Sequence, residues 1–139
     1  MKALAEAEAR ELLQSKTVGR LGCVVDGEPY VVPINYFFED RFIYSHSLPG
    51  HKIEALRAHP RACLQVDEIW DDFNWRSVIA FGSFEEIRTP DERRSVLSKL
   101  LARFPLLTPV ESAMAQDAAA PDSVVFRIDV DRITGVSEE

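Results

Sequence analysis

The sequence predicts a mainly-β protein, a six-stranded antiparallel barrel with helices packed on its outside. Six short apolar or alternating runs, separated by turn-forming residues, are the first reason. Few helical segments intervene between those runs, which favours hairpins over βαβ crossovers. The third reason is size: 139 residues, 46% of them apolar, are enough to bury one core. One domain is therefore expected over 1–139, a helix at 3–15 followed by a barrel at 18–136.

Residues 3–15 combine high helix propensity with Leu4, Leu12 and Leu13 near one face. A strand follows at 18–25, where Leu21, Cys23 and Val25 share one parity and Gly22 leaves room on the other. Asp26 and Gly27 suit a tight hairpin turn, because glycine tolerates positive φ. A second strand spans 28–38, and Glu39 with Asp40 turns it into a third at 41–45, which predicts a three-stranded meander. Pro33 cannot donate to a ladder, so its strand lies at an edge, a bulge or an opening.

A helix is expected at 50–58, ended by Pro60, with Ile53 and Leu56 inward. Strands at 62–68 and 75–87 flank a polar, aromatic turn at 69–74, and Gly82 marks a bend or bulge. Thr89 and Pro90 are a cap and a first-turn residue for a helix reaching about 104. The Pro- and Ala-rich stretch 105–122 has room for one short helix at 110–116. A last strand covers 123–128, with an extension to 136. No internal repeat is present.

A net charge of −7 and a pI near 5.0 argue against general binding to nucleic acid or anionic membranes, which needs a basic face. No apolar run approaches ~18 residues, and no signal-peptide order is present, so a cytoplasmic location is expected. Cys23 and Cys63 lie in strand-like runs without CxxC spacing, and no His/Cys cluster completes a metal site. Both read as reduced thiols rather than redox centres.

The stretch 44–52, Tyr-Ser-His-Ser-Leu-Pro-Gly-His-Lys, carries the chemistry. It joins an apolar strand to a helix, and a helix start offers unpaired N–H groups and the positive end of a dipole. A phosphate monoester suits such a place, with Lys52, His51 and Ser45 as side-chain donors. The competing reading is a solvated first turn with an exposed lysine. His46 faces either a ligand or the core, and His59 reads as a helix-end residue. Asn35 either reaches a bound ligand or bonds to backbone. Arg76 reaches a phosphate or another ligand group, or pairs with Asp71 or Asp72. Trp70 and Trp75 cover a ligand or fill an interface. Asp67 and Glu68 read as a solvated strand end.

Six short motifs in order resemble the flavin-binding split-barrel family typified by pyridoxamine 5′-phosphate oxidase, in the short branch that includes nitroimidazole-resistance proteins. They are Gly-Arg-Leu-Gly at 19–22, Pro-Tyr-Val-Val-Pro-Ile-Asn-Tyr at 29–36, Tyr-Ser-His-Ser at 44–47, Gly-His-Lys-Ile at 50–53, His-Pro-Arg-Ala at 59–62 and Trp-Arg-Ser-Val at 75–78. The similarity covers about 10–103.

It implies an FMN-binding split barrel, homodimeric, with the flavin in a groove at the subunit interface. By this resemblance Ser45, His46, Gly50, His51 and Lys52 hold the phosphate and ribityl chain. Pro33, Ile34, Asn35 and Tyr36 lie along the isoalloxazine, and Trp75, Arg76, Ser77 and Val78 form a further flavin-contacting strand. His46 is the candidate catalytic residue. FMN carries roughly −1.5 to −2 charges on its phosphate, which Lys52 and the helix start would partly neutralise.

The expected activity is FMN-dependent electron or hydride transfer from reduced nicotinamide or a similar donor. A small flat acceptor would receive it, a nitroaromatic, a quinone or a pyridine ring. Two alternatives remain: a non-catalytic flavin carrier or sensor, and a relative binding haem or a deazaflavin. True pyridoxamine phosphate oxidation is disfavoured by the short acidic stretch 132–139, which offers a phosphorylated substrate little cationic help.

Overall fold

The computed structural model describes residues 1–103 and 122–139. A two-residue strand, β1 (Lys2–Ala3), precedes helix α1 (Glu6–Ser15). The helix starts later than its propensity suggests because Lys2 and Ala3 pair with Ser137 and Val136, and Leu4 N–H donates to the Gly135 carbonyl at 2.9 Å. Strands β2 (Val18–Val25) and β3 (Glu28–Asn35) form a hairpin. Asp26 and Gly27 both take positive φ, 53° and 78°, as the Asp-Gly pair predicts.

Beyond β3 the structure corrects the expected meander. The run 28–38 is two strands, broken at Tyr36, and the second piece is β4 (Phe37–Glu39). β4 pairs with β5 (Phe42–Ser47), whereas β3 pairs with β2. After helix α2 (His51–Ala58) come β6 (Arg61–Asp71), β7 (Asn74–Ile87), helix α3 (Pro90–Leu101) and β8 (Val124–Glu138). The sheet order is β3-β2-β6-β7-β8-β5-β4, with β1 attached to β8. Consecutive strands β3 and β4 thus occupy opposite ends of one antiparallel sheet. The edges meet where Ser45 Oγ of β5 donates to the Asn35 carbonyl of β3 at 2.6 Å. Eight strands replace the expected six, through the break at Tyr36 and the addition of β1.

Pro33 lies on β3 at the end of the sheet order, where a missing donor leaves no ladder bond unmade. The register shift between Phe81 and Gly82 is the predicted irregularity in β7. A Cβ on Gly82 would stand 2.2 Å from the Asp129 carbonyl oxygen, so only glycine allows the close approach of β8. β6 and β7 run further than expected, into a tight turn in which Asp71 accepts from Phe73 N–H at 2.8 Å and from the Asn74 amide at 2.9 Å. Thr89 precedes α3 in extended conformation but makes no side-chain cap bond. Helix α3 ends at Leu101, with Ala102 as its cap, short of the expected 104, and the short helix expected at 110–116 lies outside the described residues.

Leu21, Leu64, Val66, Val78, Ala80 and Phe126 fill the interior, and Leu12 and Leu13 of α1 and Ile53 and Leu56 of α2 join the same core. A second cluster, Phe37, Ile87 and Val125 with Val96 and Leu100, packs α3 against the outside of the sheet.

Tyr36 is fully buried, and its hydroxyl donates to the Leu13 carbonyl of α1. Tyr36→Phe leaves that carbonyl unsatisfied and should lower stability by ~1–3 kcal/mol. A urea titration should show a lower midpoint with an unchanged slope; an unmoved midpoint would contradict this role for the hydroxyl.

Candidate functional site

Alternation along the strands sorts side chains into an inner and an outer set. On β6, Ala62, Leu64 and Val66 are buried, while Cys63, Gln65 and Asp67 are less covered and face out. On β2, Leu21 and Cys23 are buried, whereas Arg20 and Val24 are exposed. With these inner positions filled, the outer face of the described strands is the surface they leave open to a ligand.

A cleft of about 370 Å³ lies on that outer face, lined by Gly22, Val24, Val31, Cys63 and Phe81, with Arg61 at its side. Its lining is mainly apolar, and Arg61 is held by Asp131 through a bond of 2.6 Å. Gly22 is what keeps the floor low. A Cβ there would stand 2.7 Å from Cys63 Sγ, so glycine lets the thiol lie across the strand.

Helix α2 brings Lys52 near Cys23, a core-facing residue that also borders the cleft, although Lys52 itself is not among the cleft's lining residues; burial pushes the Lys52 pKa down, against a smaller opposing effect of that thiol. Among the described residues Lys52 has neither an ion pair nor a hydrogen bond. A half-buried cation without a counter-ion is a place for an anion. His51, by contrast, is 89% exposed and 4.0 Å from Glu54. Gly50 takes extended backbone, and the place of its missing side chain is open.

The remaining predicted residues fall into separate groups. Ser45 is buried and its hydroxyl hydrogen holds the seam to Asn35, so it cannot also serve a phosphate while the seam is closed. Tyr36 and Ile34 are core residues, with Tyr36 wholly buried; Pro33 is exposed on the edge strand. His46 pairs with Val125 and shares its strand face with Tyr44, which packs into the α3 cluster. It lies outside the cleft lining. His59 ends α2, its backbone N–H donating to the Ala55 carbonyl at 2.8 Å, as its position before Pro60 suggests.

On β7, Val78 is fully buried and Ser77 Oγ accepts from the Gln65 amide at 3.0 Å. Arg76 pairs with Glu8 at 3.2 Å and Glu68 at 3.5 Å, not with Asp71 or Asp72, and lies 5.8 Å from the Trp70 ring centre. Trp70, Trp75 and Arg76 line a different cleft, of about 460 Å³, beside β1. Asp67 and Glu68 are not a solvated strand end: Asp67 holds Arg20 at 3.1 Å, and Lys16 holds Glu68 below the usual carboxylate pKa. Among the described residues no group of acids, histidines and thiols could hold a metal.

Sequence reasoning missed Cys63, Val31 and Phe81 as cleft residues. Their signal was the parity of β3, β6 and β7, which becomes informative only when the sheet order is known. Burial raises the Cys63 pKa, opposed by a hydrogen bond from Gly22 N–H. Iodoacetamide should therefore modify Cys63 more slowly than free cysteine at neutral pH, and faster as pH rises. Labelling at the free-thiol rate would show an open, solvated floor.

The model of a family described as pyridoxamine 5′-phosphate oxidase matches residues 5–137. The crystal structure of an FAD-binding protein from Mesorhizobium loti is 34% identical, with TM-score 0.75, covering 99% of this chain and 98% of that one. A nitroimidazole antibiotic resistance protein from Bacteroides thetaiotaomicron shares the fold at 22% identity and TM-score 0.74, over 96% of this chain and 84% of its own. An uncharacterised protein of Rhizobium meliloti is 31% identical over 87 residues, 63% of this chain and 58% of that relative's length.

Proposed function

The chain belongs to the pyridoxamine 5′-phosphate oxidase family, and from that premise we propose that it binds a flavin by its FMN moiety and serves as a flavin-dependent oxidoreductase. The observation that carries this reading is Lys52, a half-buried ammonium without a partner among the described residues, beside an apolar cleft. The cleft accepts a flat apolar ring, and Lys52 accepts the phosphate attached to it. The 34% identical protein described as FAD-binding supports a flavin as the ligand class.

A flavin supplies the electron or hydride chemistry when bound. This chain's part is to orient the ring, neutralise the phosphate and leave one ring face open to a small flat acceptor. No side-chain acid or base is required, and His46 is assigned no proton transfer. Donor and acceptor are proposed as a reduced nicotinamide and a nitroaromatic, quinone or pyridine-like molecule.

A second copy of the chain would complete the groove. Val18, Val24 and Val31 are at least half exposed on the outer sheet face, and Ile69, Trp70 and Phe73 are exposed on the β6–β7 hairpin. Large apolar side chains this exposed suit contact with a second copy of the chain. Val31→Glu should turn a dimer into a monomer in sedimentation equilibrium and weaken flavin binding. A wild-type monomer that binds flavin tightly would refute the shared groove.

Lys52→Ala should reduce FMN affinity at least ~30-fold, the loss of one charge-assisted hydrogen bond of ~2 kcal/mol or more. Riboflavin, which lacks the phosphate, should change by less than ~3-fold in the same fluorescence titration. The pH dependence has a definite sign. A bound phosphate favours protonated Lys52, so FMN affinity is full below the lysine's lowered pKa and declines as pH rises through it. Equal losses for both ligands, or affinity flat across that range, would place Lys52 elsewhere.

A further inference from the structure

The floor of the apolar cleft is one row of cross-strand neighbours. Val31 on β3 pairs with Gly22 on β2, Gly22 with Cys63 on β6, and Cys63 with Phe81 on β7. The next member of the row is Arg132 on β8, just beyond the lining at its Phe81 end. Residues paired in this way share one face of a sheet. The Arg132 guanidinium lies over the Phe81 ring, 4.1 Å from its centre. A molecule lying along the row therefore meets a cation at the β8 end. We propose that this cation reads a carboxylate on the electron acceptor, so that the substrates are flat aromatic acids. The inference rests on the flavin reading and names the substrate class of that same cleft.

Arg132 is available for such a contact. It is exposed, and among the described residues no ion pair or hydrogen bond holds it. Its neighbour Asp131 is committed elsewhere, both carboxylate oxygens accepting from Arg61 at 2.6 and 3.2 Å. The strand register makes this division. Phe81 pairs with Arg132 but Gly82 with Val130, so Asp131 is left out of the ladder. A bulge of this kind re-aims side chains, and Asp131 reaches across β7 to Arg61 on β6 while Arg132 stays on Phe81. The lining itself contains no acid, and the acids Glu138 and Glu139 further along β8 border the other cleft, beside β1. Stacking on Phe81 restrains the guanidinium before a ligand arrives, and its planar fork matches a carboxylate with two parallel bonds. An aromatic acid thus gives its ring to the cleft and its charge to Arg132.

The test uses the full-length protein loaded with FMN, with 4-nitrobenzoate and its neutral methyl ester as acceptors. Binding is measured by equilibrium dialysis, and turnover with a reduced nicotinamide. In that assay the nicotinamide gives up a hydride and, with one proton from solvent, the nitro group becomes nitroso and water. Wild type should bind the acid about tenfold more tightly than the ester, the low end for a hydrogen bond to a charged group. Arg132→Gln should weaken the acid about tenfold in Kd and KM, with kcat and the ester's affinity changed less than about twofold. The position is exposed, so folding is retained, which circular dichroism checks. Equal binding of acid and ester by wild type overturns the inference and leaves the flavin reading intact, as does an acid preference that the variant keeps. A variant that loses FMN affinity as strongly as acid affinity assigns Arg132 to the cofactor and overturns the inference too. Failure of wild type to bind FMN removes the flavin reading and the inference together.

Discussion

The fold depends on one constraint: the chain must leave one edge of its sheet at Asn35 and enter the opposite edge at Phe37. Tyr36 alone spans this crossing. Its backbone N–H donates to the Thr17 carbonyl at 3.0 Å and its hydroxyl bonds to Leu13, so both ends of its side chain and backbone are fixed to the α1 region. Burial raises the phenol pKa, with a smaller lowering from Arg103, so the hydroxyl stays protonated and donates throughout the physiological range. The bond from Ser45 to Asn35 closes the seam beside it. The interior of the curled sheet held this way is filled by buried side chains among the described residues.

That closure decides where function can lie. Inward positions of β2, β6 and β7 are filled by Leu21, Leu64, Val66, Val78 and Ala80, each fully buried. The outward positions of the same strands hold a low apolar floor at Gly22 and Cys63, next to a polar row in which Arg20, Gln65, Asp67 and Ser77 are joined by hydrogen bonds. The polar row is satisfied internally and asks nothing of a ligand. The floor and Lys52 are not.

The strands, helices and tight turn at Asp26 were legible because each has a local cause: alternation, helical spacing, a residue suited to positive φ. Pro33 and Gly82 were legible as irregularities, though the sequence could not say that one sits at an edge and the other beneath the Asp129 carbonyl. The break at Tyr36 was not legible. Nothing local ends a strand there; burial of the phenol against α1 does, and that contact spans 23 residues of sequence. The stretch 44–52 stands out in the sequence, yet its side chains divide among different tasks. Adjacent residues on a strand face opposite ways, so Ser45 closes the seam while His46 turns to the α3 side. Lys52 and His51, neighbours on a helix, diverge by about 100° per residue, so Lys52 is partly buried while His51 stays exposed.

Electrostatics explains why a single lysine carries so much of the argument in a chain of net charge −7. At long range such a protein repels a phosphate, so affinity must come from short-range, desolvated contact. Many of its cations are already engaged: Arg20 with Asp67, Arg41 with Asp129, Arg57 with Glu86, Arg61 with Asp131 and Arg127 with Glu85. These exposed pairs add little stability, but they withdraw guanidinium groups from competition for anions. Lys52 differs in being partly buried and unpaired among the described residues, which makes its protonated form costly until an anion arrives. The ligand that lowers this cost most is one that brings negative charge to the ammonium and an apolar ring to the cleft in the same molecule, because each half then holds the other in place.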